Sequence, residues 1–285
     1  MKDFWKKILA MDRRVIYSLI GLSVFLPFLL PLGLPMQITP PVQRVFDAVE
    51  AIPPHDKPLF LVCDYSPATM PELHPMAGAI LRHCFARGIR VILYGGLYPQ
   101  GTGVAQMALN EVIQEFPEAV NGEDYVFLGY VPGLTAVVLS IGEDIHKTFT
   151  RDFFGVDLAN HTMLKEVRNY DDIPLLIDLS GGPVPRTWVI FAGARYGQEI
   201  AVGTTAVSAA EWYAFLQTGQ FLGMLGGMKG AAEYETLLER NNLYRGRKPA
   251  SIGMDAQTIS HIVIVLLIAL GNVGYFISRK KRREG

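Results

Sequence analysis

Polar and glycine residues follow three apolar runs of the sequence, at points where α/β proteins commonly hold their chemistry. The runs are PLFLVCD (58–64), IPLLIDL (173–179) and EIAVGTT (199–205), and each is typical of a buried strand. In an open parallel sheet, the carboxyl ends of the strands form the crevice in which ligands bind. The sequence therefore predicts a candidate ligand crevice formed by Asp64, Ser66, Ser180, Gly181, Gly182 and Thr204.

Asp64 is the most suggestive of these residues, because a carboxylate just past a buried strand can act as an acid, a base or a metal ligand. It could equally cap the loop that leads to Thr69 by accepting backbone N–H groups. The run Ser180-Gly181-Gly182 could offer amides to an anion. The sequence has neither G-x-x-x-x-G-K-[ST] nor G-x-G-x-x-G, so nucleotide binding is not predicted.

The spacing of the histidines and other polar residues indicates neither a set of metal ligands nor a set of catalytic residues. His74 and His83 share one predicted helix, but nine residues at 100° each turn them to opposite faces. No G-x-S-x-G motif is present to anchor a hydrolase. We therefore predict no catalytic residues, no metal ion and no cofactor, and the sequence favours a non-enzymatic role. For Cys63 and Cys84, two buried free thiols are favoured over a disulfide.

The elements that must position the crevice alternate between strand-like and helix-like patterns over residues 57–250. This alternation predicts an α/β domain with a mostly parallel, doubly wound, Rossmann-like sheet of five or six strands. Predicted capping boxes at Thr69–Glu72 and Ser208–Glu211 open two helices, the second of them long, and another helix covers 103–116. The predicted strands are 58–64, 89–94, 124–130, 173–179, 187–193 and 199–205.

Two uncharged runs flank this domain, and each is long enough to cross a bilayer. The first run covers 15–36 and the second 256–278, and the predicted spans are 15–36 and 255–278. A signal peptide and a buried core helix are the alternatives for the first. Five basic residues precede the first run and five follow the second. The positive-inside rule then places both termini in the cytoplasm and the domain outside the cytoplasm, with the protein in the cell membrane.

The charge distribution agrees with this layout. The chain has 26 Lys and Arg against 27 Asp and Glu, but 16 basic and 24 acidic residues remain between Val15 and Ser278, a charge of about −8. A nucleic-acid partner is not predicted, because the basic excess lies in the tails rather than on the domain. The predicted order is a basic tail (1–14), a span (15–36), a juxtamembrane stalk (37–56), the domain (57–250), a span (255–278) and a basic tail (279–285), with membrane lipid as a partner of the basic residues.

The segment WYAFLQTGQFLGMLGGM (212–228) has no charge and carries glycines four residues apart. On an apolar helix, this spacing would clear one face for another helix. Packing on the sheet, docking of a protein partner and a third span are the alternatives, and the charge bias disfavours the third. Asn272 in the second span could bond another helix. The predicted helix-packing residues are Gly219, Gly223, Gly227, Gly230 and Asn272.

The layout of two terminal spans around a domain that starts LFLVCDYSPAT resembles the extracytoplasmic accessory subunits of ABC-2 exporters of the gliding-motility type. That resemblance implies a glutamine-amidotransferase-like fold without catalytic activity. The segments GGMKGAAEYE (226–235) and GMDAQTISH (253–261) also resemble an uncharacterised family of prokaryotic membrane proteins. The leading hypothesis is an accessory or scaffold subunit of a membrane complex; the alternative is an extracytoplasmic enzyme or small-ligand receptor that uses the crevice.

Overall fold

The structure is a computed structural model that describes residues 11–284, with side chains described for residues 11–277. The predicted basic tails therefore lie largely outside the described side chains. The chain divides into two compact units. One comprises the residues up to Pro35 together with those from Ser251 onward, and the other is the α/β domain Met36–Ala250.

The domain is built on one six-stranded, all-parallel sheet, which confirms the predicted α/β class. The strand order is β3-β2-β1-β4-β5-β6, consistent with a Rossmann-like fold. The central strands β1 and β4 are buried along their whole length, as expected when helices cover both faces of a parallel sheet. The strands are β1 Leu59–Asp64, β2 Val91–Tyr94, β3 Tyr125–Phe127, β4 Leu176–Ser180, β5 Ile200–Thr204 and β6 Met224–Gly226.

Helices connect the strands and flank the domain, and short 3₁₀ turns lie at Pro67–Thr69, Leu158–Asn160, Thr162–Leu164 and Tyr170–Asp172. A five-residue π-helix covers Val189–Gly193. The α-helices are α1 Arg13–Leu29, α2 Pro40–Glu50, α3 Met70–Arg87, α4 Gln100–Ile113, α5 Thr135–Glu143, α6 Ile145–Thr148, α7 Pro185–Trp188, α8 Ala194–Tyr196, α9 Ala209–Gln217, α10 Gly227–Arg240 and α11 Pro249–Glu284.

The prediction of a strand at 187–193 is wrong, because this segment continues α7 as the π-helix. Pro185 starts the helix at a position where its missing N–H costs nothing. Trp188, Val189 and Ala192 are buried while Ile190 is exposed, which is helical rather than alternating spacing. The apolar run alone did not distinguish a buried helix from a buried strand.

The segment 212–228 is not one helix, so its glycines do not share a face. The helix α9 ends at Gln217, a turn follows at Gly219, where φ is +74°, and the chain then forms the sixth strand, which was not predicted. Gly223 lies against the backbone of Pro41, and Gly230 lies against Leu225 of its own domain. Gly219, Gly223, Gly227 and Gly230 therefore do not form one helix face. Gly223, Gly227 and Gly230 are buried within the domain, which agrees with the alternative that this segment packs on the sheet. The helix opened at Ser208 is also short rather than long.

Two further predictions about helix ends need correction. Neither Thr69 nor Ser208 caps its helix with its side chain. Glu72 instead reaches across the domain, where its carboxylate accepts the Ala206 N–H at 2.8 Å. The predicted ending of α3 is confirmed, because Gly88 takes the left-handed conformation, with φ of 66°, just after Arg87. Cys63 and Cys84 are both buried and free.

The segment predicted as a juxtamembrane stalk is helical and packs as part of the domain. The large apolar residues of α2 are buried, and its last turn contacts α3 and α10. There, His83 is bonded to Glu50 and to the Tyr234 hydroxyl, both at 2.8 Å. Burial lowers the pKa of His83, opposed by the Glu50 carboxylate. The residues of α2 that pack into the core are Val42, Val45, Phe46 and Val49.

Replacing Glu50 with glutamine is expected to lower the free energy of unfolding by about 1 to 3 kcal/mol, because a charged partner of the buried His83 is lost. Arg87, which also bonds the Glu50 carboxylate, loses its ion pair. Denaturant unfolding of the detergent-solubilised protein measures the change. Asp47→Asn, on the exposed face of the same helix, is the control and should change stability by less than about 0.5 kcal/mol. Equal effects of the two substitutions would contradict this role for Glu50.

The unit formed by the terminal segments contains two helices, α1 and α11. Within the described residues, one helix is long and apolar enough to cross a membrane, over Pro249–Ile277, and it indicates association with a membrane. The helix α1 has 17 residues and ends before Pro31 and Pro35, which cannot donate backbone hydrogen bonds. Ser23 contacts Ser260 at 3.2 Å between hydroxyl oxygens, and the Asp255 carboxylate accepts the N–H groups of residues 32–34.

Candidate functional site

Three of the predicted crevice residues form one row across the sheet. Asp64 at the end of β1 is paired in register with Ser180 at the end of β4, and Ser180 is paired with Thr204 at the end of β5. Because paired residues of parallel strands point to the same face, the three side chains share one face of the sheet. All three are buried, with Asp64 only 8% exposed.

This row lies at the topological switch point of the sheet. The strand order 3-2-1-4-5-6 reverses direction between β1 and β4, and their carboxyl ends there diverge into separate loops. Ligands of open α/β sheets bind at this point. The residues that carry the predicted crevice are therefore placed where the fold class most often has its site.

A second carboxylate, Asp178, lies beside Asp64. It occupies β4 two residues before Ser180 and is paired with Val62, so it points to the same face as Asp64 and is its diagonal neighbour. Its side chain is fully buried. A carboxylate in the middle of a buried strand must be paired, protonated or bound to a cation, because an isolated buried charge is very unfavourable.

The polar atoms around the two aspartates lack hydrogen-bond partners. Among the described residues, thirteen buried side-chain atoms have no partner, and six of them belong to residues of this region. Unsatisfied buried polar atoms are uncommon in folded proteins, and a cluster of them indicates a functional site. The six atoms are Asp64 Oδ2, Tyr94 OH, Asp178 Oδ1, Asp178 Oδ2, Trp188 Nε1 and Thr204 Oγ1.

The electrostatics of the pair favour its neutral form. Burial raises the pKa of Asp64 to about 7, against the opposing effect of the Leu97 amide. Burial, and then the neighbouring Asp64 carboxyl, raise the pKa of Asp178 well above its usual range. Burial also raises the pKa of the Tyr94 hydroxyl, which remains a neutral donor. Two carboxyls this close and this dry do not both ionise without a compensating positive charge.

The loop after β2 closes over Asp64. The Leu97 N–H donates to Asp64 Oδ1 at 2.6 Å, and Gly96 precedes it with φ of +86°. A side chain at residue 96 would overlap that carboxylate oxygen, so both the conformation and the space require glycine. Gly101, in the first turn of α4, likewise lets the helix approach the carbonyl oxygens of Cys63 and Gly95.

Trp188 reaches the site from the segment after β4. It ends α7 and directly precedes the π-helix, and its ring centroid lies 6.2 Å from that of Phe60. Its indole N–H helps to lower the pKa of Asp64, yet it lies outside hydrogen-bonding geometry. Single π-helical turns are frequent at functional sites.

The remaining predicted residues lie at the margin of the site or outside it. The Ser66 carbonyl accepts the Thr69 N–H, so residues 66–69 close a turn after β1. Gly181 lies under Thr69, and the Gly182 N–H donates to the Ser180 hydroxyl at 3.2 Å. Asn272 is exposed on α11, in the other unit.

The site is closed toward solvent. Surface cavities of about 400 and 360 Å³ lie at the opposite, amino edge of the sheet and include none of the predicted crevice residues. The first is lined in part by Gln198 and Ile200 at the start of β5, and the second by Lys57 and Arg90, which precede β1 and β2. An occupant of the site must therefore be small, or a covering loop must move.

The sequence placed Tyr94 and Asp178 among the polar strand exits but not in the predicted crevice, and it did not indicate Trp188. Asp178 carried a signal, because a carboxylate inside the otherwise apolar run IPLLIDL is unusual. Tyr94 ends β2 just before two glycines, which is also a strand exit. Trp188 had no usable signal, since its segment was assigned to a strand.

No protein-family model, curated protein or solved structure matches this chain. The resemblance to accessory subunits of gliding-motility-type exporters therefore stays a prediction.

Proposed function

We propose that this protein holds an α/β domain at a membrane and that the domain binds a small ligand between Asp64 and Asp178. The observation that carries the proposal is the cluster of six buried polar atoms without partners at the switch point. Four of these atoms are acceptors or hydroxyls of Asp64, Asp178 and Thr204, so the ligand supplies positive charge or hydrogen-bond donors.

The accessory-subunit hypothesis rested on the absence of a catalytic set and on helix packing through residues 212–230 and the two spans. Gly223, Gly227 and Gly230 are buried within their own domain, so they are not offered to a partner. The ligand-binding hypothesis has the stronger physical support, because burial of two unpaired carboxyls is costly unless something compensates them.

The domain presents this site away from the points where the chain enters and leaves it. Met36 and Ala250 bound the domain. The Met36 carbonyl accepts from Arg240 at the end of α10, and the Ala250 N–H donates to Glu235 on the same helix. Since α10 follows the carboxyl end of β6 and runs back along the sheet, its end lies toward the amino edge. Within the domain, the site at the carboxyl edge therefore lies opposite the edge that holds the first and last residues of the domain.

We further propose that α1 and α11 both span the membrane, with both termini in the cytoplasm and the domain outside. The basic residues outside the two apolar runs support this orientation. The bonds from Asp255 to residues 32–34 and the contact between Ser23 and Ser260 support a paired arrangement of the two terminal segments.

A membrane-impermeant maleimide should distinguish the two sides of the membrane. Val207 is 89% exposed, so Val207→Cys is expected to react in intact cells. A cysteine appended after Gly285 should react only after the cells are permeabilised. The native cysteines are buried and should remain unlabelled. Labelling of the appended cysteine alone in intact cells would contradict the proposed orientation.

Native mass spectrometry of the full chain, extracted from its own membranes in mild detergent, tests the ligand site. We expect a peak whose mass exceeds that of the chain by the mass of a bound ligand. This peak should be absent from the spectra of both Asp64→Asn and Asp178→Asn. Asp47→Asn is the matched control, because this exposed carboxylate lies on α2 and bonds only Gln43 through its side chain. Retention of the same species by Asp178→Asn would refute the site.

A further inference from the structure

If both aspartates ionise, no side chain of the described residues compensates their negative charge. Among the described residues, no ion pair involves Asp64 or Asp178. Asp64 accepts one backbone N–H. No N–H or hydroxyl group of the described residues donates to Asp178, whose carboxyl neighbour within hydrogen-bonding reach is Asp64. The charge of the two carboxyls must therefore be compensated either by a proton that they share or by a bound cation.

The atoms available at the site are all oxygen ligands. Asp64 Oδ2, both Asp178 oxygens and Thr204 Oγ1 are buried without partners on the same face of the sheet. Cys63, the nearest thiol along the chain, has the opposite parity in β1 and points to the other face. A set of carboxylate and hydroxyl oxygens alone suits hard cations, whereas zinc and copper sites usually include histidine nitrogen or cysteine sulfur.

The closure of the site also limits the size of its occupant. Asp178 and Thr204 are fully buried, and the Leu97 amide and Trp188 cover Asp64. A single ion with one or two waters needs far less space than an organic molecule. The unpartnered Trp188 Nε1 and Tyr94 OH could then donate to waters or carboxylate oxygens that the ion orders.

We propose that Asp64 and Asp178, with Thr204 as an additional ligand, hold one hard divalent cation of the Mg²⁺, Ca²⁺ or Mn²⁺ class between β1 and β4. This inference rests on the proposed function, because it identifies the ligand of the same site. It differs from the sequence-based expectation of no metal, which depended on histidine and motif spacing. Asp64 and Asp178 lie 114 positions apart in the sequence, so no ligand-spacing pattern could have paired them.

Manganese provides the direct probe. The full chain in detergent is freed of metal with EDTA, exchanged into chelator-free buffer and titrated with MnCl₂, while the six-line electron paramagnetic resonance signal of free Mn²⁺ is followed. We expect one bound Mn²⁺ per chain, displaced by MgCl₂ or CaCl₂. Asp64→Asn and Asp178→Asn should each weaken binding by at least about 100-fold, and Thr204→Val by about tenfold.

Thermal unfolding gives a second measurement on the same samples. Saturation with the preferred cation at about 100 times its Kd should raise the Tm of the protein by about 5 to 10 °C. Asp47→Asn should bind Mn²⁺ like the unmodified chain. Tryptophan fluorescence of the buried Trp188 and Trp212 shows whether each variant is folded.

The outcomes separate this inference from the proposed function. The proposed cation site is overturned if the chain does not bind stoichiometric Mn²⁺, or if the folded Asp178→Asn protein binds Mn²⁺ with unchanged affinity. If native mass spectrometry then still shows an organic species that requires both aspartates, the ligand-binding function stands without a metal. If neither a cation nor an organic species depends on the pair, both proposals fail, and the carboxyls share a proton.

Discussion

A methyl group at residue 101 is expected to lower the free energy of unfolding by at least about 3 kcal/mol, the upper part of the usual range for overpacking. In Gly101→Ala, the new Cβ would overlap the carbonyl oxygens of Cys63 and Gly95. These are backbone atoms at the ends of β1 and β2, so no side chain can rotate away to make room. The start of α4 must instead move off the sheet edge that carries the candidate site.

Denaturant unfolding of the full chain in detergent, followed by tryptophan fluorescence, measures this effect. The matched control is Gly103→Ala, two residues along the same helix, where a Cβ would have nothing within 4 Å. That substitution should stabilise the protein by about 0.5 to 1 kcal/mol, because alanine favours the helix more than glycine does. Similar effects of the two substitutions would mean that α4 does not approach the sheet as described.

The second large effect concerns pH in the metal-free protein. In the presence of EDTA, Asp64 is expected to reduce the free energy of unfolding by about 4 kcal/mol as pH rises from 4 to 8, which is the value of a pKa shift from 3.8 to about 7. The pKa of Asp178 is displaced in the same direction, so its contribution has the same sign.

The sign follows from proton binding. Between pH 4 and pH 7, the folded chain keeps the Asp64 proton while the unfolded chain has lost it, so the folded state binds more protons and stability falls as pH rises. Above about pH 8, Asp64 is ionised in both the folded and the unfolded state and the loss is complete. Carboxylates with lowered pKa values, such as Glu50, titrate at lower pH with the opposite sign.

The difference between the unmodified protein and Asp64→Asn removes the contributions of groups that do not interact with Asp64, and retains its effect on the neighbouring Asp178. In EDTA, the variant should gain stability relative to the unmodified protein as pH rises from 4 to 7, and the gain should then level off. Asp47→Asn, which replaces an exposed carboxylate of the same domain, is the control for the effect of an Asp-to-Asn substitution itself. A stability difference between Asp64→Asn and the unmodified protein that does not change with pH would contradict the burial-driven shift.

Much of the domain could be predicted because its signals are local. The runs around β1, β2, β4 and β5 are apolar and bounded by turn residues, and the predicted strands at these positions are present within a few residues. The failures at 187–193 and 212–228 have a common cause. Both segments are apolar enough to be buried in any secondary structure, so long-range packing rather than local pattern decided between helix and strand.

Only part of the candidate site could be predicted from such local signals. Asp64, Ser180 and Thr204 were predicted because each lies at the carboxyl end of a strand, a local property. The pairing of Asp64 with Asp178 depends on the register between β1 and β4, which are separated by more than a hundred residues. A shift of one residue would have turned one of the carboxyls to the other face of the sheet.

The sequence by itself determined the α/β class, the apolar terminal segments and the polar strand ends, because hydrophobic periodicity and charge are written along the chain. Only the tertiary structure decided that β1 lies beside β4, that Trp188 approaches from a helix and that two carboxyls share a closed, dry space. The physical reason is that strand order and register arise from contacts between distant segments. The chemistry at the switch point is a product of those contacts.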